Sequence, residues 1–585
     1  MKKCAIILMV MVGLCMASSG SVRYPMPREG TVAPENLVRA PSQGRGVQIG
    51  VVGDSRSILG PAGKNIVVSS DGTIAVLYGS QYEPYNADTP FDGITITYSL
   101  DMGQTWNAYG PIAVTTPPFR RAYSGIDGCE NFHESQGNTF FAWMEAPYGY
   151  ATCPLYCMLD ENVPSLPSFS VPVLLSDDIF PWMPCPAVDP ENNQHIIVTG
   201  WSYLSGGNNN LYYWESFDGG YTWTDTSLMA ATVEDSLIDA GHLRWGKDGY
   251  GIFVYHDAGE DHVNRIVYYT ETTDSGATWS DPDSVYPLSY INLWWHEFDV
   301  EVCRDLDGNN FPVMVHNDSE AGGFTNLFYP DPDDPGGPGA WNWQIINLDA
   351  YVNGNYSWAG TTWTVTVGRN SNGGMNVAYE PNLDVILVGF RANYEINPPP
   401  VDWEDGDYLG GYVSYNGGRD WRVTRPLTGL IDNPATYAPP IEMAHRLMWT
   451  GGEYITLWAF TVWTHGGTQH NMPLYFERGR VLPIRVPGIV EYVDDEVLSE
   501  IGMTITPTIT KTGGCSVAFT ILKSSDVSLQ VYDAAGRLVA TEFNGHLERG
   551  IHTLALDTSG LVNGVYIVLV KAAEEFHVGK LVVTR

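Results

Sequence analysis

The feature that most constrains the fold is a polar, glycine-centred turn that ends in tryptophan and recurs four times. Its copies read SLDMGQTW (99–106), SFDGGYTW (216–223), TTDSGATW (272–279) and SYNGGRDW (414–421). They are in phase with a second repeat, a turn followed by an apolar strand, spaced by about 55–75 residues. The seven copies of that second repeat lie at 69–80, 136–145, 191–202, 247–257, 306–318, 381–392 and 450–461. A repeat of this length, about one four-stranded sheet per copy, predicts a β-propeller.

Composition agrees with an all-β chain built from repeated units. Aromatic residues make up 12% of the 585 residues, and the 62 glycines and 38 prolines show no collagen-like period. Aromatic strands separated by frequent turns are typical of all-β proteins, and so many aromatic residues exclude a disordered chain. Long helical patterns are absent between residues 45 and 490.

Each residue type in the four turns has a structural explanation. Glycine permits a left-handed backbone, the Asp or Asn side chain accepts backbone N–H groups, and the tryptophan anchors the turn between sheets. We therefore expect these residues to build the fold rather than to catalyse. They are Asp101, Gly103, Trp106, Asp218, Gly220, Trp223, Asp274, Gly276, Trp279, Asn416, Gly418 and Trp421.

The motif S-x-D-x-G-x-T-W resembles the Asp-box, or bacterial neuraminidase repeat, of sialidase-like propellers. The resemblance covers most of residues 45–490. It implies that the turns lie at the outer edges of the blades, far from a central site. We predict a seven-bladed (alternatively six-bladed) β-propeller over residues 45–488, with Asp-box turns.

Both ends of the chain carry export signals. Residues 1–20 contain two lysines, an apolar run too short to span a membrane, and then small residues, which predicts a secretory signal peptide. Residues 489–504 read as a linker, and 505–585 alternate like a small β-sandwich. Residues 531–539, 550–568 and 580–585 resemble the C-terminal sorting domain of the type IX secretion system. That resemblance implies contact with the secretion machinery and a product that is secreted or attached to the outer-membrane surface.

Charge narrows the possible partners. The chain has 67 acidic and 30 basic residues, a net charge of −37, which repels nucleic acid. An anionic ligand needs a local cluster of arginines, whereas a neutral glycan does not. No later stretch of the sequence is long and apolar enough for a transmembrane segment.

Cysteines and acidic turns suggest further features. Cys129, Cys153, Cys157 and Cys185 lie close together in an exported chain, so one or two local disulfides are expected, with the pairing left open. Cys303 and Cys515 fit small buried apolar residues better. No cysteine spacing predicts a zinc site. The alternating oxygens of Asp305, Asp307 and Asn309 leave calcium open, although the glycine is misplaced for an EF-hand and the segment falls on a repeat turn.

Propeller sites usually lie where loops enter the innermost strands, so the segments before the repeated strands are the candidates. Three of them combine charge with aromatic residues, at 235–246, 292–302 and 441–449. The candidate acids and bases are Asp239, Glu297 and Glu442. The candidate ligand-binding residues are Trp294, Trp295, His296, His242, Arg244, His445 and Arg446. Packing between blades is the alternative for the tryptophans, as is hydrogen bonding within a strand for His242 and His445.

Three functions remain open from the sequence. A secreted propeller can bind a glycan or a surface protein without catalysis, or use paired carboxylates to hydrolyse a neutral glycan. Sialidase activity is the third, and there the resemblance implies an arginine about nine residues before Asp71, where this chain has Ala62. Arg56 is out of register, and seven repeated strands exceed the six blades of sialidases. If the protein is an enzyme, the resemblance implies a glycoside hydrolase.

Overall fold

The computed structural model describes most of the chain between residues 46 and 584. The described residues are 46–54, 64–81, 92–112, 121–128, 139–146, 154–160, 168–177, 181–202, 210–230, 237–258, 265–285, 298–304, 308–317, 325–358, 361–367, 375–380, 385–397, 406–428, 441–449, 454–461, 470–481, 503–506, 509–510, 515–521, 525–533, 537–547, 550–556, 558, 560–572 and 575–584. The predicted signal peptide therefore lies outside the described residues and stays a prediction. The chain divides into two compact units, residues 1–448 with 455–485, and residues 449–454 with 486–585.

The first part of the chain is almost entirely β-structure. Its strands are β1 (Val47–Asp54), β2 (Ile66–Val68), β3 (Ile74–Gln81), β4 (Asp92–Ser99), β5 (Asn107–Ile112), β6 (Arg121–Gly128), β7 (Thr139–Ala146), β8 (Leu155–Asp160), β9 (Val173–Ser176), β10 (Pro181–Asp189), β11 (Asn192–Ser202), β12 (Leu211–Ser216), β13 (Ser227–Ala230), β14 (Leu237–Trp245), β15 (Gly251–Ala258), β16 (Arg265–Thr272), β17 (Asp283–Ser284), β18 (Phe298–Arg304), β19 (Asn310–Asn317), β20 (Thr325–Pro330), β21 (Gly336–Gly337), β22 (Ala340–Trp341), β23 (Trp343–Asn347), β24 (Gly354–Trp358), β25 (Thr361–Val367), β26 (Asn376–Glu380), β27 (Val385–Asn397), β28 (Gly406–Ser414), β29 (Arg422–Val423), β30 (Ile441–Met443), β31 (Met448–Trp449), β32 (Tyr454–Thr461) and β33 (His470–Arg480). Among the described residues of this part, one short helix, α1 (Leu348–Val352), interrupts them, with the Asn347 side chain accepting the Ala350 N–H as its N-cap.

Most of these strands form antiparallel sheets in chain order. Four sheets have four strands each: β6-β7-β8-β9, β10-β11-β12-β13, β14-β15-β16-β17 and β18-β19-β20-β23. A six-stranded sheet has the order β24-β25-β27-β28-β29, with β26 paired to β27. Within each four-stranded sheet the first strand is at one edge, and we call these first strands, together with β2, β26 and β30, the inner strands.

The two ends of the first unit meet in one sheet. β1 pairs antiparallel with β33 from Val47↔Phe476 to Asp54↔His470, and it meets β3 at Val52↔Ser80. These pairings give a nine-stranded sheet that contains β1–β5 and β30–β33. The N-terminal strand thereby covers an edge of the C-terminal strands, which closes the unit without leaving that edge unpaired.

The middle strands are buried on both faces, which explains their nearly continuous apolar sequences. Residues 74–79 of β3 are all buried, as are 385–392 of β27. One apolar cluster runs through consecutive sheets, from Ile252 on β15 through Val300 and Val313 to Val388 on β27. Each fully buried aliphatic side chain of this kind contributes about 1.5–3 kcal/mol to folding, so the layers between sheets dominate stability.

The four tryptophan turns share two hydrogen bonds. The glycine N–H donates to the first Ser or Thr hydroxyl, and the N–H four residues after the Asp or Asn donates to its Oδ1. In the first turn, Asp101 Oδ1 accepts the Gln104 and Thr105 N–H groups at 2.9 and 2.8 Å. Thr105 Oγ1 donates to Asp101 Oδ2 at 2.6 Å, and the Gly103 N–H donates to Ser99 Oγ at 2.7 Å. These bonds hold the pKa of Asp101 near 2, because they stabilise its charged form.

All four turn tryptophans pack against an aromatic ring of another strand. For Trp279 this ring is Trp245 on β14 of the same sheet, 6.2 Å away, and two of the other rings belong to the preceding sheet. Trp223 lies 5.4 Å from Phe140 on β7, and Trp421 lies 5.5 Å from Tyr329 on β20. Trp106 lies 4.7 Å from Phe476 on β33. Two of the turns thus contact the preceding sheet.

The C-terminal unit consists of short strands in two sheets. They are β34 (Met503–Thr506), β35 (Ile509–Thr510), β36 (Cys515–Ile521), β37 (Ser525–Asp533), β38 (Leu538–Leu547), β39 (Gly550–Leu556), β40 (Gly564–Ala572) and β41 (Glu575–Val583). The sheet orders are β34-β36-β39 and β35-β41-β40-β37-β38. Val517 and Phe519 of the first sheet share an apolar core with Leu529 and Val568 of the second. No helix among the described residues of either unit is long and apolar enough to cross a membrane.

The structure corrects part of the disulfide expectation. Cys157 and Cys185 are buried and carry free thiols, so a bridge through either of them is wrong. Both lie on strands packed between sheets, where a small apolar side chain fits. Cys129 and Cys153 lie outside the described residues. Cys303 and Cys515 belong to apolar cores, as their sequence context predicts.

Candidate functional site

The three charged segments singled out in the sequence lie on inner strands. Asp239 is the third residue of β14, Glu442 is the second residue of β30, and β18 begins directly after Glu297. The side chains of Asp239 and Glu442, and all of Trp294, Trp295, His296 and Glu297, lie outside the described part of the structure. What the backbone shows is that all three segments are at the beginning of an inner strand.

Side-chain contacts show that successive inner strands are neighbours. His242 Nδ1 on β14 lies 3.7 Å from Asp299 Oδ1 on β18. The Val377 N–H on β26 donates to Asp299 Oδ2 at 2.8 Å, and the Met443 N–H on β30 donates to Asn376 Oδ1 at 3.1 Å. The strands β14, β18, β26 and β30 therefore follow one another around the interior.

The same contacts explain why inner strands carry polar side chains. The inner edge of each sheet has backbone groups without a strand partner, which are costly to bury. Asp127 on β6 accepts the Val188 N–H of β10 at 2.8 Å, and Asn65 Nδ2 donates to the Ser124 carbonyl at 3.0 Å. Side chains of one inner strand thus satisfy the backbone of the next, which is a structural role.

A buried ion pair crosses the interior. Lys64 donates to Asp299, and both side chains are only 4% exposed. Burial disfavours the charged Asp299, but Lys64 and Arg244 outweigh it and lower the pKa of that carboxyl. Asp299 is thereby committed to Lys64 and to the Val377 N–H.

The two predicted histidines are neutral at ordinary pH. Burial lowers the pKa of His242 to about 3 against the attraction of Asp299, and Arg244 lowers it further. Burial together with Arg244 and Lys64 also lowers the pKa of His445 to about 3. Neutral imidazoles can hydrogen-bond, but with so low a pKa they are poor general bases near pH 7.

A cavity of about 120 Å³ lies at the opposite ends of the inner strands. Its wall includes the last residues of β2, β6 and β14, and the turns that follow β10 and β14. Polar groups from five inner-strand segments line it: Asp127, Arg244, Lys247, Glu301, Arg304, Tyr379, His445 and Arg446. Of the predicted ligand-binding residues, the structure brings Arg244, His445 and Arg446 together here, while His242 lies in the buried ionic network.

Two carboxyl groups of this cavity hold protons unusually tightly. Burial raises the pKa of Asp127 to about 6 and that of Glu301 to about 8, although Arg244 and Lys64 act against the rise in both. Sequence reasoning did not single out Lys64, Asp127 or Glu301. The sequence did contain a signal for Glu301, because side chains two residues apart on a strand lie on the same face. Asp299 and Glu301 have this spacing, as do His242 and Arg244, so each pair shares one face of its strand.

The calcium prediction is not tested. Asp305 and Asp307 lie outside the described residues, and Asn309 follows them at an exposed position. Among the residues that the structure describes, no group of three or more His, Cys, Asp or Glu side chains is arranged to hold a metal.

Comparison with known proteins gives distant structural likenesses and one family. An ulvan lyase, a polysaccharide lyase, has 10% identity and a TM-score of 0.44, covering 74% of this chain and 96% of its own. An α-L-arabinofuranosidase from Fusarium graminearum has 12% identity and a TM-score of 0.40, covering 59% and 92%. The NanB sialidase from Streptococcus pneumoniae has 12% identity and a TM-score of 0.34, covering 57% and 66%. No curated protein matches the sequence. Residues 514–584 match the secretion system C-terminal sorting domain, which supports secretion and attachment at the cell surface.

Proposed function

We propose that the first unit is a secreted, seven-bladed Asp-box propeller that binds a glycan where loops enter its inner strands. Four four-stranded sheets, one larger sheet and the joined nine-stranded sheet, which divides at β1 into two blades, support seven blades rather than six. The two-sheet tail is the type IX sorting sandwich of this proposal, and residues 1–20 are its signal peptide. A surface protein is the alternative ligand.

The proposal rests on three segments of the sequence that precede or begin the neighbouring inner strands β14, β18 and β30. Asp239 and Glu442 are near the first residues of β14 and β30, and Glu297 directly precedes β18 in the sequence. We therefore assign the three segments to the same end in this proposal. Tryptophan rings bind the apolar faces of sugars, and carboxylates accept their hydroxyl groups. This combination suits a glycan.

Binding without turnover is favoured over hydrolysis by the groups nearest to these segments. His242 is neutral, with a pKa of about 3, and Asp299 is tied to Lys64. Hydrolysis of a neutral glycan requires two of Asp239, Glu297 and Glu442 to face each other roughly 5–10 Å apart. An exo-sialidase is the least favoured function, because Ala62 occupies the place of the expected first arginine.

The test is a glycan array with a parallel hydrolysis screen on the secreted full chain. We expect saturable binding without products, and at least a tenfold loss of affinity in the double variant Trp294→Ala and Trp295→Ala. Tyr351→Ala is the matched control, since this aromatic side chain is 63% exposed on α1.

Two results contradict this proposal. Products that disappear in Glu297→Gln assign the protein to the glycoside hydrolases instead. A chain that binds no glycan, or that loses affinity equally in Tyr351→Ala, has no glycan site at this end.

A further inference from the structure

The cavity at the far ends of the inner strands concentrates positive charge. Arg244, Lys247, Arg304 and Arg446 line a volume of about 120 Å³, in a chain whose net charge is −37. Arg304 is partly neutralised by Asp248, whose carboxylate lies 3.2 Å from Arg304 Nη2. This cluster is separated by the length of the inner strands from the segments proposed to bind glycan.

Arg244 is the centre of the cluster and is incompletely satisfied. The residue is only 6% exposed, and its Nη1 donates to the Leu243 carbonyl at 3.0 Å. Among the described residues, its Nε and Nη2 atoms find no hydrogen-bond acceptor, although both are buried. Glu301 Oε2 lies 3.8 Å from Arg244 Nε, too far for a hydrogen bond, and likewise has no donor.

A buried guanidinium with free donors is a strong sign of a missing acceptor. Buried polar groups are almost always hydrogen-bonded, and leaving one unsatisfied costs about 1–3 kcal/mol, more for a charge. The planar fork of arginine matches two oxygens of a carboxylate, sulfate or phosphate. The cavity has room for such a group.

We propose that this cavity is a second binding site, which holds a small oxyanion through Arg244 with support from Lys247 and Arg446. The oxyanion is either a free ion or the acidic group of a larger ligand, and the two share the same recognition chemistry. The proposal does not depend on glycan binding at the other end of the inner strands.

Glu301 couples this binding to pH. When its carboxyl is protonated it donates a hydrogen bond to the anion, and when it ionises it competes with the anion for Arg244. Burial raises the pKa of Glu301 to about 8, so the protonated form dominates at pH 7. The charged and titratable groups that face it or share its cavity are Lys64, Asp127, Arg244, Lys247, Asp299, Arg304, His445 and Arg446. Of these, Asp127, with a pKa of about 6, is still partly protonated at pH 6.5, so its ionisation adds to the weakening above that pH. His445, with a pKa of about 3, is neutral throughout the range.

Calorimetric titration of the full chain with sodium sulfate, phosphate, acetate and glucuronate, at constant ionic strength, tests the site. We expect saturable binding at pH 6.5 that weakens at least tenfold at pH 9, as Glu301 ionises. Arg244→Gln should abolish it, and Arg446→Gln should weaken it about tenfold. Arg419→Gln, a partly exposed arginine outside the cavity, is the matched control and should leave it unchanged.

The titrations with different anions also distinguish a free ion from the acidic group of a larger ligand. Sulfate or phosphate binding tighter than glucuronate indicates a free inorganic ion, and the reverse indicates a carboxylate on a larger ligand. Absence of saturable binding with every anion overturns the proposal, as does an equal loss in Arg419→Gln. If Arg244→Gln does not fold, the test rests on the pH dependence of the unaltered chain and on the Arg446→Gln variant. Binding that neither weakens at pH 9 nor weakens in Arg446→Gln then overturns the proposal.

Discussion

Two carboxylates of this protein, Asp101 at an outer turn and Glu301 on an inner strand, behave in opposite ways. Asp101 is a half-buried turn residue whose carboxylate oxygens accept hydrogen bonds only from residues within four positions of it, and its pKa falls to about 2. Glu301 is buried on an inner strand, and its pKa rises to about 8. The turn stabilises the charge of Asp101 with hydrogen-bond donors from neighbouring residues. In the interior, burial removes water from Glu301, so its charge is stabilised mainly by residues that are distant in the sequence. Local sequence therefore decides the state of the first carboxylate, and assembly of the sheets decides the second.

The largest effect should come from breaking the interior ion pair. Lys64→Met leaves Asp299 charged and buried, and we expect the free energy of unfolding to fall by about 3–5 kcal/mol. Urea denaturation followed by tryptophan fluorescence measures this, because all 19 tryptophans precede residue 464.

Two further variants show whether the cost belongs to the uncompensated charge. Adding Asp299→Asn to Lys64→Met removes that charge but keeps an acceptor for the Val377 N–H, so most of the loss should be recovered. Arg419→Ala breaks an exposed pair with Asp333 and should cost below about 1 kcal/mol. If Lys64→Met is as stable as Arg419→Ala, then breaking the buried ion pair costs no more than breaking an exposed one, and this prediction is wrong.

A smaller effect is expected from the glycine of an outer turn. Gly103 has φ of +83°, and a Cβ there would lie 2.0 Å from the Phe476 ring. Gly103→Ala combines a left-handed backbone with a steric clash, so we expect a loss of about 3 kcal/mol.

Gly339 is the matched control for that variant. Its φ is +78°, but a Cβ would meet nothing within 4 Å, so Gly339→Ala should cost only about 1 kcal/mol. Equal losses in the two variants, measured by the same urea titration, would mean that packing against Phe476 adds nothing to the turn.

The smallest effect tests how far the turn is a self-contained unit. In the fourth copy the usual Asp and Thr are replaced by Asn416 and Asp420, and the direction of the side-chain bond is reversed. Asn416 Nδ2 donates to Asp420 Oδ2 at 2.8 Å, where Thr105 Oγ1 donates to Asp101 Oδ2 in the first copy. Asn416→Asp places two carboxylates together and should cost about 1 kcal/mol.

Adding Asp420→Thr restores the Asp–Thr pair of the other turns and should recover that loss. A double-mutant cycle on the free energy of unfolding measures the coupling between the two positions. Additive losses would show that the two side chains do not act as a pair.

The sequence by itself determined what depends on neighbours a few residues apart. Each turn contains its own donors, acceptors and glycine, so its repetition with the strands predicted an all-β architecture. The alternation in the tail predicted a small β-sandwich, and the resemblance of its residues to a known family implied the sorting domain. Those same local patterns placed the candidate site at the beginnings of the inner strands without saying which side chains meet there.

Only the tertiary structure decided the partners inside. Lys64 and Asp299 are 235 positions apart, and the wall of the cavity is built from turns and strand ends spread between Val68 and Arg446. No periodicity in the sequence encodes such a pairing, because it arises when the sheets close around a common interior and exclude water. That exclusion turned Asp299 into a structural ion and left Arg244 with hydrogen-bond donors that have no acceptor among the described residues. The cavity that Arg244 lines is at the end of the strands opposite to the one that the sequence indicated.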